Sequence, residues 1–205
     1  MNHERARNQF PSVLLGVLGI IQALAMELLW EHGVGGIGSW RAIDAGLSGW
    51  LQVSAIFMGI VLIWIQYAIL VLRFSWVPRF FDLAFPFVLG ALEFLLIASC
   101  GPETIARYFV VLAVIFMVSA GGNNSVFQAL FSAGDATAPP RRQQLMSYLP
   151  MMIAVVILLA CAVLSDSTGA ASRVTLVCLV AANAGVIVQL SVFRLNWNSE
   201  MGSAP

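Results

Sequence analysis

Gly49–Arg73 reads GWLQVSAIFMGIVLIWIQYAILVLR, with no charge before its last residue. A helix rises about 1.5 Å per residue, so this stretch is long enough to cross a hydrocarbon layer ~30 Å thick. Its apolar residues do not confine themselves to one face, so a helix built from it would be apolar nearly all round. Such a helix belongs in a large protein core or in lipid.

The remaining chain decides between the two. Of 205 residues 60% are hydrophobic and 10% charged, and the mean hydropathy is +0.90. Soluble domains carry roughly 25% charged residues, so this chain has too few to cover a water-facing surface. Five further segments resemble the first: 11–31, 80–99, 103–133, 144–165 and 173–194. The expected fold is therefore all-α, a polytopic transmembrane helical bundle of six spans forming one integral membrane domain over residues 1–205. The fourth segment is longer than a bilayer requires, which implies tilt, a break near Gly121-Gly122, or extension beyond the lipid. Between the spans, the first loop has room for a short interfacial helix over Ser39–Leu47, and Cys100–Pro102 forms a tight turn.

All ten cationic residues are arginine, and their placement orients the bundle. Arg5, Arg7, Arg73, Arg79, Arg141, Arg142 and Arg194 fall on one side; Arg41, Arg107 and Arg173 fall on the other. The positive-inside rule puts the first set, and with it both termini, in the cytoplasm. Trp30, Trp40, Trp50 and Tyr108 then mark the outer interface, and Trp76, Tyr148 and Trp197 the inner one. The expected location is a cell membrane of the bacterial inner-membrane type, with the lipid bilayer as first partner. Arg5, Arg7 and Ala23-Leu24-Ala25 also fit a secretory leader with an A-x-A cleavage site. The apolar run continues through Leu28-Leu29-Trp30, which favours an uncleaved span.

Several chemistries are excluded. Without lysine there is no Schiff-base site. His3 and His32 lie outside the apolar runs, so they build no bis-imidazole haem site, and Cys100, Cys161 and Cys178 lack metal-ligand spacing. Walker, H-E-x-x-H, G-x-S-x-G and T-V-G-Y-G motifs are missing. No metal or cofactor is expected, and a formal net charge of zero leaves no footprint for nucleic acid. Catalysis is not the favoured reading. An enzyme acting on lipid or quinone would need a nucleophile–base pair, and none is evident.

The polar residues at membrane depth carry what functional information there is, because an ionised acid there costs about 2.5–3.5 kcal/mol on insertion scales. Glu27 and Glu93 fall at comparable heights in the outer half. They read either as an acidic ring or proton-carrying pair or as structural partners of Arg107, about one turn into the fourth span, with a Glu27 that snorkels to the interface as a further alternative. Asn123 and Asn124 are adjacent, so they cannot share a face. Gln128 follows Asn124 by one turn, and Asn183 lies near mid-membrane. Gln22 and Gln66 add further amides. Acids outside and amides inside could line a polar path, and interhelical hydrogen bonding is the structural alternative.

The leading expectation is a small ion or solute channel or transporter, or its membrane subunit, working as a homo-oligomer or within a membrane complex. The alternative is a non-catalytic subunit that anchors or scaffolds a larger membrane assembly.

Overall fold

The structure, a computed structural model, describes residues 3–35, 46–73, 80–132, 141–168 and 172–201. These residues form six α-helices and no strand: α1 His3–Trp30, α2 Gly46–Arg73, α3 Phe80–Ile97, α4 Ile105–Ser132, α5 Arg141–Thr168 and α6 Arg173–Met201. One π-helical turn, Glu31–Gly35, extends α1. The fold is an all-α bundle. The expected interfacial helix near Trp40 and Arg41, and the loops holding Arg79 and Pro139-Pro140, fall outside the described residues.

Five helices (all but α3) are long and apolar enough to cross a membrane, while α3 contributes the shorter apolar segment Leu83–Ile97. A chain with this many apolar helices is a multi-pass integral membrane protein. Each helix contains most of the span expected for its part of the sequence, and the observed ends commonly run a turn beyond the apolar window. Helix α4 is continuous through Gly121-Gly122, so of the three alternatives for this long segment the break does not occur. Gly122 instead receives the ring of Phe85 from α3 against its bare Cα.

Around the bundle the helices follow the order α1, α3, α4, α5, α6, α2, each packed on the next, and α2 also touches α3. Gln52, near the start of α2, meets the α3–α4 turn. Phe127, near the end of α4, stacks edge-on against Tyr148, near the start of α5. Successive helices therefore run up and down. The end holding the start of α1 and the end of α6 is the terminal end, and the other is the loop end. Helices α2 and α4 are the best covered, with 50% and 56% of their apolar windows buried against 33% for α1, α5 and α6. The ring is thus flattened, with α2 and α4 facing each other through its middle. Large apolar side chains such as Val156, Val163, Val177 and Leu195 point outward, as a lipid-facing surface requires.

Close helix approach depends on glycine at two α3 contacts. At Gly90 a Cβ would collide with the Ile21 side chain of α1, and at Gly122 with the Phe85 ring. Both partners are branched or rigid close to the point of contact, so neither can swing aside cheaply. Gly16, by contrast, has open space where a Cβ would stand. Gly90→Ala is expected to lower bundle stability by about 1–3 kcal/mol through overpacking, whereas Gly16→Ala leaves it unchanged or slightly raised. Unfolding midpoints of the two variants in detergent micelles would measure the contrast.

Candidate functional site: polar contacts inside the bundle

The Gly90–Ile21 contact sets the first polar site. With α1 and α3 seated this closely, Gln22 lies beside Glu93, one turn beyond Gly90. Nε2 of Gln22 donates to both carboxylate oxygens of Glu93, at 3.0 and 3.1 Å. Glu93 is 2% exposed and Gln22 5%. The Gln22 Oε1 atom is buried with no hydrogen-bond partner. A carboxylate in this position gains one neutral donor.

The other charged candidates lie elsewhere. Glu27 is on the exposed side of α1, flanked by Ala23 and Trp30 of the same face. It therefore does not join Glu93 in an acidic pair. Arg107 is also exposed, because the register that buries Tyr108 and Phe109 turns it outward. The ion pair anticipated between Arg107 and the acids is not formed among the described residues, and Gln22 is the partner that Glu93 has. Arg173 and Arg194 are likewise exposed, so none of the arginines whose side chains are described faces the buried carboxylate.

Helix α2 organises the amides. At the loop end Gln52 accepts a hydrogen bond at Oε1 from the Gly101 N–H, 3.0 Å, and its carbonyl accepts from the Tyr108 hydroxyl at 3.4 Å. Gly101 has φ +137°, a conformation that favours glycine, which explains its place in the turn. Two residues further along α2, Ser54 donates to Oδ1 of Asn183 on α6 at 2.6 Å. The Asn183 Nδ2 donates to the Leu51 and Leu179 carbonyls at 3.0 and 2.8 Å. Both ends of that amide are therefore engaged. In the terminal half, Gln66 Nε2 donates to Asn123 Oδ1 of α4 at 2.6 Å.

The consecutive amides separate as helical geometry demands. Asn123 is buried, while Asn124 and Gln128 are on the exposed side of α4. The apolar window of α4 ends at Ser125, just past Asn124 and short of Gln128. Glu93, Asn123 and Asn183 are thus buried in three separate helix pairings (α1–α3, α2–α4 and α2–α6) and do not converge on one cavity. Gln52 and Ser54 are the members that sequence reasoning did not single out. Each is an isolated polar residue in an apolar run, and that is the signal by which they could have been chosen.

All three cysteines are free thiols, with Cys161 and Cys178 buried next to each other on α5 and α6. Cys100, in the α3–α4 turn, bonds weakly to the Leu96 carbonyl, and burial pushes its thiol up to about 12. Among the described residues no group of three or more His, Cys, Asp and Glu side chains is placed to hold a metal ion. Comparison with protein-family models, curated proteins and solved structures finds no match to this chain.

Two outcomes follow from these pairings. Asn123→Leu should destabilise the bundle by about 1–3 kcal/mol, because Gln66 is left buried without its acceptor. Adding Gln66→Leu should recover most of that loss, and a double-mutant cycle of unfolding in mixed micelles would show the recovery. Since the thiolate is the nucleophile and the raised Cys100 pKa withholds it, Cys100 should resist maleimide at pH 8 in the folded protein. It should label fully once the protein is denatured in SDS, a difference that mass spectrometry reads directly.

Proposed function

We propose that this chain moves a small ion or solute across a cell membrane, with Glu93 as the ion-carrying group and Gln22 as the amide that holds it. The observation that carries this reading is a glutamate buried within a membrane-embedded bundle and matched, among the described residues, by a neutral amide. Acids inside membrane spans mark ion and proton pathways by default, since a purely structural position would be filled more cheaply by an apolar residue. In this reading six spans cross the bilayer, with both termini in the cytoplasm as the arginine distribution favours. The working form is a homo-oligomer or a membrane complex, and a bacterial inner membrane is the setting that the sequence pattern suits. Asn123 and Asn183 hold helices together rather than line the path, and Glu27 stands at its lipid-exposed flank.

A second reading is supported by a separate observation. The Gln66–Asn123 and Ser54–Asn183 bonds tie α4 and α6 to α2, as suits a rigid non-catalytic subunit that anchors a larger assembly. Extraction in a mild detergent separates the two: an unrelated partner in fixed stoichiometry favours the anchor, and a lone homo-oligomer counts against it.

The transport reading is tested in liposomes. Purified protein should give a proton or monovalent-cation flux, and Glu93→Gln should reduce it at least severalfold with the fold intact by circular dichroism. Flux that is indifferent to Glu93→Gln removes the acid from the path. No flux of either ion through the wild-type protein turns the argument toward anchoring.

A further inference from the structure

Away from Glu93, a partly open cavity of about 30 Å³ lies between α2, α4, α5 and α6. Leu62, Leu112, Phe116, Met151 and Val186 give it a largely hydrocarbon wall, to which Gln66 and Ser119 bring polar groups. Ser119 is 4% exposed, and its hydroxyl is buried with no hydrogen-bond partner.

The next turn of the same helix faces repeats the pattern. Tyr148 precedes Met151 by three residues on α5, and Gln189 follows Val186 by three on α6. Because α5 runs opposite to α6, both steps lead about 5 Å toward the terminal end. On α4, Asn123 takes the same step beyond Ser119. The buried hydroxyl of Tyr148 has no partner, nor has either end of the Gln189 amide, although Gln189 is 1% exposed. Folded proteins rarely leave buried polar atoms unmatched, and the usual remedy is an ordered water. A fully buried primary amide satisfied at neither end is the costliest of the three to leave so.

We propose that ordered water binds in this part of the bundle, one molecule in the cavity against Ser119 and at least one more between Tyr148 and Gln189. Size permits the ligand. One water needs about 10–15 Å³ of such space, so a cavity of about 30 Å³ has room for it. Chemistry agrees, since a hydroxyl, a phenol and a two-ended amide offer both donors and acceptors, and water answers both. The inference is independent of any ion carried by Glu93.

Met151 provides the probe. It lines the cavity and is 2% exposed, while Met117 on α4 is 48% exposed on the outer, lipid-facing side. X-ray pulses that generate hydroxyl radicals from bound water should oxidise Met151 several times faster than Met117 in protein embedded in lipid nanodiscs. Ser119→Ala combined with Gln189→Leu should bring Met151 down to the Met117 rate. Oxidation of wild-type Met151 no faster than Met117 would overturn the proposal. The sign of a stability change gives a second reading that needs only one variant. Gln189→Leu should lower the thermal midpoint, because Tyr148 and its water lose a partner. A raised midpoint would mean that the amide was unmatched and water is not bound there.

Discussion

Hydrocarbon offers no hydrogen bonds, so a polar group that enters it must be answered by another part of the protein or by bound water. Backbone groups meet this condition locally, by forming helices. Side chains cannot meet it so simply, and the arrangement of this bundle follows where they find partners. Helix α2 is where the demand concentrates. Its Gln52, Ser54 and Gln66 reach the α3–α4 turn, α6 and α4 in turn. That places α2 against three other parts of the chain and accounts for its deep burial. Helix α5 takes an outer position and presents Val156 and Val163 outward.

Packing and polar pairing reinforce each other in this arrangement. Gly90 admits Ile21, and the resulting approach puts Gln22 within reach of Glu93. Gly122 admits Phe85, which also packs against Tyr67 of α2, and the neighbouring Asn123 meets Gln66. At Gly90 the missing Cβ lets α1 and α3 approach closely enough for Gln22 to reach Glu93, whereas at Gly122 it seats α3 on α4 beside Asn123, whose partner comes from α2. Single interhelical hydrogen bonds contribute only about 0.6 kcal/mol on average, so the close packing is what makes these partners available at all.

The helices were legible because continuous apolar runs such as Gly49–Leu72 have one stable form in lipid. Their ends were less so, since a helix may continue past the lipid, as α6 does to Met201. Pairing was largely hidden. Sequence spacing shows that Asn123 and Asn124 must diverge, but it does not say which one turns inward. Nor does it show that Glu93 meets Gln22 instead of Arg107, because that depends on α3 lying beside α1 and on the register at Gly90. The expectation of an acidic pair failed for the same reason. Equal height in two spans says nothing of rotation about the helix axis, and Glu27 faces out where Glu93 faces in.

The pairings on α2 also bear on how the protein is made. Ser54 and Asn183 are separated by 129 positions, Gln22 and Glu93 by 71. At synthesis rates of about 5–20 residues per second, Ser54 precedes its acceptor by about 6–26 s. Throughout that interval the early helices stand in the membrane with amides that their final neighbours have not yet arrived to satisfy. The insertion machinery, bound water or temporary contacts between α1 and α2 must shelter them meanwhile. Biogenesis of this small bundle therefore closes late, when α6 reaches α2.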